Sequence, residues 1–245
     1  MKGSTGTVSP HRRRASGKPL IVAIDGPAAA GKSTVAAMLA RRLGVPYLDT
    51  GAMYRAVAWL ALREGMRPPI GPEAAGKIVG LLDAHQLELV QPGSELRVLV
   101  DGADIRDEIR SPEVAMMASA VSALPAVRRR LVALQRELGL RRGGVMEGRD
   151  ITSVVFPDAT LRVFLTAAAD ERARRRHRDL GGGEAPSLDE VRHQQQQRDR
   201  QDSTRADSPL HVAEGVLVID TTDHGPEEVV RRLLEALDAA AEPDP

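Results

Sequence analysis

The stretch Gly26-Pro27-Ala28-Ala29-Ala30-Gly31-Lys32-Ser33 constrains this chain more than any other, because it satisfies the spacing G-x-x-x-x-G-K-[ST]. It lies between an apolar run, Leu20 to Ile24, and a segment from Lys32 to Leu43 whose apolar positions recur at helical spacing. Strand, glycine-containing loop and helix in that order describe a phosphate-binding loop. The glycines let successive backbone N–H groups converge on phosphate oxygens, and the helix N-terminus turns its positive end to the same place. Lys32 places a mobile cation on the β- and γ-phosphates, the Ser33 hydroxyl is a ligand for Mg²⁺, and Thr34 completes the nucleotide-binding run. The loop specifies a nucleoside triphosphate site but no reaction, since ATPases, GTPases, motor domains and kinases all use it.

Short strands alternate with helices beyond the loop. Val45 to Leu48 reads as a strand and Ala52 to Glu64 as a helix, and two further helices are split at Pro125. Val145-Met146 and Leu161 to Leu165 read as core strands, followed by a helix through Ala167 to Asp179. Val216 to Ile219 and Pro226 to Ala240 supply a last strand and a last helix. That alternation predicts an α/β fold of three layers, a parallel sheet covered on both faces. Leu87 to Val90 and Leu96 to Val100, separated by Pro92-Gly93-Ser94, predict an antiparallel hairpin, which a parallel sheet does not accommodate and which marks an insertion. Gly181-Gly182-Gly183 ends a helix and opens a mobile loop. The expected organisation is a disordered basic tail over 1–18 and a single domain over 19–245, with an insertion at about 65–115 and a short lid at about 172–190.

Charge excludes several partners. Thirty-four basic residues balance 34 acidic ones, so no overall field is available to hold nucleic acid or an anionic membrane. Cysteine is absent, which removes disulfides and thiolate metal sites. No apolar run approaches the roughly 20 residues that span a bilayer. The expectation is a cytoplasmic protein that binds neither nucleic acid nor membrane, with anion binding left to local clusters.

Three such clusters stand out. In Asp49-Thr50-Gly51-Ala52-Met53-Tyr54-Arg55, Thr50 is expected to cap a helix that begins at Gly51, with Arg55 one turn inside it. Glu147-Gly148-Arg149-Asp150 follows a core strand, at the edge where α/β sites form. Arg172, Arg175 and Arg176 share one helix face, as do Arg198, Asp202 and Arg205. Charge stripes are usually solvated. Flanking a glycine-rich loop beside a phosphate site, these predict a lid whose arginines act on the transferring group, an effect of about three or more powers of ten in rate.

Ile24-Asp25-Gly26-Pro27, Asp49 to Arg55, Glu147 to Ile151, Val154-Val155-Phe156-Pro157-Asp158 and Arg198-Asp199 occur in that order, followed by Asp202-Ser203-Thr204-Arg205 and Ser208-Pro209-Leu210. Together they resemble the bacterial cytidylate kinases, and the resemblance runs from about Leu20 to Leu237. It implies a P-loop kinase core with a monophosphate-binding insertion and a lid, acting as a monomer. It implies transfer of the ATP γ-phosphoryl group to CMP or dCMP, with Mg²⁺ bound alongside ATP. Gly26 through Thr34 would hold ATP; Lys32, Arg149, Arg172, Arg175 and Arg176 would be catalytic. Arg55, Arg149 and Arg205, with Thr50, would take the acceptor phosphate, Arg198 and Asp202 the ribose, and Ser119, Arg128 and Asp150 the cytosine.

Cytosine sets an amino donor beside two acceptors, which a carboxylate, an arginine and a hydroxyl complement. Uracil would turn an acceptor toward Asp150. The chain departs from the pattern at Thr152-Ser153, where the family usually has Gly-Thr. Asp25 has two open roles, orienting the metal's water shell or making a structural turn. The residues alone also leave open a kinase for another small acceptor, and a P-loop hydrolase or switch.

Overall fold

A strand buried on both faces is apolar along its length, and β1 (Ile21–Asp25) is buried at every position, with Asp25 at its end the one polar residue. The computed structural model of the chain describes residues 19–90, 96–181, 186–205 and 207–240. The basic stretch 1–18, the turn Pro92-Gly93-Ser94, and Gly182 with Gly183 lie outside the described residues. β1 pairs in parallel with β6 (Gly144–Glu147) on one side and β7 (Leu161–Thr166) on the other. β2 (Tyr47–Asp49) joins β6, and β8 (Leu217–Asp220) joins β7, giving the parallel order β2-β6-β1-β7-β8.

Alternation along β1 splits the core in two. Val22 and Ile24 pack toward α1 (Lys32–Leu43) and α8 (Pro226–Ala239), with Leu39 and Leu233 fully buried. Ile21 and Ala23 face α2 (Thr50–Arg63), and the same cluster takes in α4 (Pro112–Ser122) and α5 (Pro125–Arg142) through Met53, Met117 and Leu131. The three layers follow the sequence expectation.

The insertion carries α3 (Ala75–Ala84) and an antiparallel sheet of β3 (Leu87–Val90), β4 (Arg97–Val100) and β5 (Ala103–Asp104). Its Leu89, Val98 and Val100 join the α2 cluster, so it packs on the core. The expected hairpin is present, and β5 extends it. The turn to β5 is Asp101-Gly102, with φ of 52° and 81°, a two-residue reversal of the kind that an Asp-Gly pair favours.

After α6 (Ala169–Asp179), the chain resumes helix as α7 (Leu188–Thr204). Ser187 and Glu190 close a capping box at its start, from the sequence pattern S-x-x-E. Gln195 Nε2 donates to the Arg172 carbonyl at 3.3 Å, tying α7 to α6.

Candidate active site

The C-terminal ends of β1, β2, β6 and β8 open onto a cleft of about 1030 Å³. The phosphate loop forms its floor. Gly26 has φ of 148°, and a Cβ there would lie 2.0 Å from the Leu165 carbonyl oxygen, so glycine alone lets the loop leave β1 against β7. Ala29 is held at φ 59°, a strained setting for a side-chain-bearing residue. Gly31, at φ 85°, hands the loop to α1.

Lys32 is buried, and its Nζ donates to the Pro27 carbonyl at 2.7 Å. Burial first, and Arg149 second, depress its pKa to about 7, while Glu147 and Asp25 oppose the shift. Ser33 and Thr34 are exposed to the cleft.

The end of the neighbouring strand β6 supplies Glu147, buried, with Oε1 accepting from Tyr47 Oη at 2.7 Å. Tyr47 is pushed up by that burial and by Glu147, and it also meets the Ser33 hydroxyl. Sequence analysis gave Glu147 no role, although an acid closing the strand beside the phosphate loop was a visible signal. A hydroxyl and a carboxylate with room for phosphate oxygens and waters suit an octahedral Mg²⁺. Among the described residues no group of three or more His, Asp or Glu side chains could hold a metal.

α2 starts at Thr50 and is capped by Asp49, whose Oδ1 accepts from Ala52 N at 3.0 Å. The sequence expectation put the cap at Thr50. Both residue types cap well, and Thr50 is diverted because its hydroxyl donates to the Glu147 carbonyl at 2.7 Å. Asp49 Oδ2 also takes Arg55 Nη2 at 2.8 Å.

Arg149 Nε pairs with Asp202 Oδ2 at 2.9 Å, and Arg205 Nη1 lies 3.7 Å from Asp202 Oδ1. Asp202 thus separates two guanidinium groups that would otherwise repel. Arg205 Nη2 is buried without a partner among the described residues. Arg198 lines the same cleft, lowered to about 10 by desolvation and by Arg149, Arg55 and Arg176.

At the far wall, buried Arg128 and Asp150 are paired through Nη2 and Oδ2. Arg128 lies 5.6 Å from the centroid of the Tyr54 ring, and the Tyr54 hydroxyl is buried without a partner among the described residues. Burial raises that hydroxyl to about 12 against the pull of Arg128. Tyr54 had no assigned role in the sequence analysis, since an aromatic inside a helical motif is indistinguishable there from core. Ser119 lines the cleft and donates to Gln201 Oε1 at 3.1 Å, joining α4 to α7.

The three lid arginines differ. Arg172 donates to the Ala167 carbonyl at 3.0 Å and pairs with Asp199 at 2.6 Å. Arg175 grips the loop after β8, donating to Thr221 O at 2.6 Å, Thr222 O at 3.3 Å and Thr221 Oγ1 at 3.0 Å. That Thr221 hydroxyl reaches the Ala30 carbonyl at 3.1 Å, so Arg175 braces the phosphate loop from outside. Arg176 lines the cleft, and its guanidinium makes no hydrogen bond or ion pair among the described residues.

Of the two roles left open for Asp25, the structure shows the turn. Its carboxylate is fully buried and accepts from Ile151 N, Thr152 N and Thr152 Oγ1 at 2.9, 2.7 and 2.7 Å. Burial raises its pKa against those donors.

The model of a family described as cytidylate kinase matches residues 22–239. A cytidylate kinase of Desulfitobacterium hafniense (strain Y51) is 48% identical over 219 residues, covering 89% of this chain and 92% of that protein. One from Carboxydothermus hydrogenoformans is 46% identical, covering 88% and 96%. A bifunctional pantoate ligase/cytidylate kinase of Synechococcus sp. (strain JA-2-3B'a(2-13)) is 50% identical over 225 residues, and there the chain spans 40% of the relative's length. A solved structure described as an uncharacterized protein from Eubacterium ventriosum ATCC 27560 shares the fold, with TM-score 0.51 and 11% identity, covering 90% of this chain and 99% of that one.

Proposed function

This chain belongs to the cytidylate kinase family, and from that premise we propose how its own residues transfer the ATP γ-phosphoryl group to CMP or dCMP, giving ADP and CDP or dCDP. One observation supports the reading above all: a single cleft is lined by the phosphate loop, by Arg55, Arg149 and Arg205, and by the Arg128–Asp150 pair. Donor and acceptor are both anions, so the reaction is chiefly a problem of charge and of excluding water.

Gly26 to Thr34 bind the ATP phosphates, and Lys32 moves from the Pro27 carbonyl to the β- and γ-oxygens. Ser33 and Glu147 would hold Mg²⁺, which would neutralise developing charge when bound with ATP. Arg55, Arg149 and Arg205 grip the acceptor phosphate, with Thr50 fixing the wall behind it through Glu147. Arg198 and Asp202 take the ribose. Asp150 accepts the cytosine amino group while Arg128 and Ser119 donate to its acceptor edge. Uracil would leave Asp150 facing an acceptor, and such mismatches cost orders of magnitude.

The transfer is direct and in line. The acceptor oxygen is already ionised near neutral pH, with a second phosphate pKa of about 6, so no general base is needed. Arg172 and Arg176 stabilise the transferring group, and Arg175 acts through the brace on the phosphate loop.

In this reading residues 19–245 form one kinase domain, in which the insertion at about 65–115 closes over the monophosphate and the lid at about 172–190 over ATP. The working unit is a cytoplasmic monomer that binds neither nucleic acid nor membrane. A balance of 34 basic and 34 acidic residues supports the absence of nucleic-acid and membrane binding, and no described helix is long and apolar enough to cross a membrane.

ADP release with MgATP and each nucleoside monophosphate tests the assignment. Fast turnover is expected with CMP and dCMP, slow turnover with UMP, and none with AMP, GMP or dTMP. ADP release independent of any acceptor, or a preference for another base, overturns it.

A further inference from the structure

The turn that follows Asp150 is held by opposite charges at its two ends. Residues Ile151–Val155 form a wide helical turn, in which Val155 N and Phe156 N reach back five residues to the carbonyls of Asp150 and Ile151 at 3.1 and 2.7 Å. Its free N–H groups, on Ile151 and Thr152, point at the Asp25 carboxylate. Its last carbonyls, on Val154 and Val155, take Arg136 Nη2 at 2.6 Å and Nε at 3.0 Å. An anion at the N–H end and a cation at the carbonyl end is the arrangement a helical dipole favours.

The Thr152 hydroxyl adds a third bond to Asp25 at 2.7 Å, and Thr152 is itself fully buried. Thr152 is also where the chain departs from the pattern it resembles, which has glycine there and so no side-chain donor. Asp150 stands immediately before this turn, so the direction of its carboxylate follows from where the turn is fixed. Asp25 stands immediately before Gly26, so the phosphate loop and the base-contacting turn share one anchor.

We propose that Asp25, acting through the Thr152 hydroxyl and opposed by Arg136, is a positioning residue that aims Asp150 at the cytosine amino edge and so strengthens this chain's preference for cytosine over uracil. The proposal rests on the role given to Asp150 above. Asp25 touches neither substrate in this scheme; its effect passes through the turn.

The experiment measures kcat and KM for CMP and for UMP at saturating MgATP, with KM for ATP alongside. Thr152→Val removes the hydroxyl at nearly constant volume, and Thr152→Ser keeps it. Loss of one bond to a buried carboxylate predicts about a tenfold rise in KM for CMP and a similar fall in the CMP-to-UMP ratio of kcat/KM. The kcat with CMP and the KM for ATP are expected to stay within about twofold, since the phosphate side is untouched. Thr152→Ser restores the wild-type ratio.

Should Thr152→Val fail to fold, Arg136→Met decides, because Arg136 sits at the exposed end of the turn and its loss is expected to shift the ratio in the same direction. A folded Thr152→Val with wild-type CMP KM and selectivity overturns the proposal, and so does Arg136→Met when it alone folds and keeps the ratio. Asp150→Ala, run in parallel, separates the two claims. If it abolishes the preference while the turn variants keep it, only the positioning proposal fails; if it keeps the preference, the base-contact reading fails and takes the proposal with it.

Discussion

Lys32 and Arg149 bring like charges into one buried region, close enough that desolvation and Arg149 hold the lysine near 7. Phosphate oxygens relieve that repulsion. Lys32→Ala is therefore expected to lower kcat by roughly three powers of ten while leaving the melting temperature unchanged or raised. Arg149→Ala should lose comparable activity, measured in the same ADP-release assay; full activity in either variant contradicts the assigned roles. Gly148 matters for space rather than charge. A Cβ there would approach the Thr50 hydroxyl at 2.7 Å and the Ile151 side chain at 2.8 Å, so Gly148→Ala should destabilise by about 1–3 kcal/mol in denaturant titration. Single residues also mark the limit of what the sequence alone reveals. Gly26, Lys32 and Ser33 were legible because their spacing is local, whereas the partners of Asp25 lie about 126 residues away in sequence and only the folded chain brings them together.

Elements were legible where their pattern is self-contained. β1 announced itself as an unbroken apolar run, and α1 as a periodic segment after the loop. β5 was missed because two residues carry no periodicity, although Asp101-Gly102 was a usable turn signal. The start of α2 slipped by one residue because Asp49 and Thr50 are both good caps, and a contact from Thr50 to β6 decides between them. The capping box of α7 yields a prediction at this scale. Ser187→Ala removes an acceptor for Glu190 N, so the first turn of α7 should lose about 1 kcal/mol of local stability. Faster amide exchange confined to that turn is the expected result; unchanged exchange would show that packing of Val191 alone holds the helix end.

The molecule as a whole keeps its two core clusters on opposite faces of the sheet and its arginines along one edge. The sequence foretold the layering, because alternating strands and helices leave few other solutions. It could not foretell the pairing of the site's cations, which depends on how α2, α7 and β6 converge. Arg55 meets Asp49, Arg149 meets Asp202, and Arg172 meets Asp199, each within 3 Å. The cleft thus carries carboxylates beside its cations, and on the proposed assignment a phosphate arriving at Arg149 would take over a bond from Asp202 and hand it back on leaving. Binding then adds the phosphate's charge to a site whose cations are already partly compensated, so the affinity for CMP should fall more gently as salt rises than at a site with no carboxylates among its arginines.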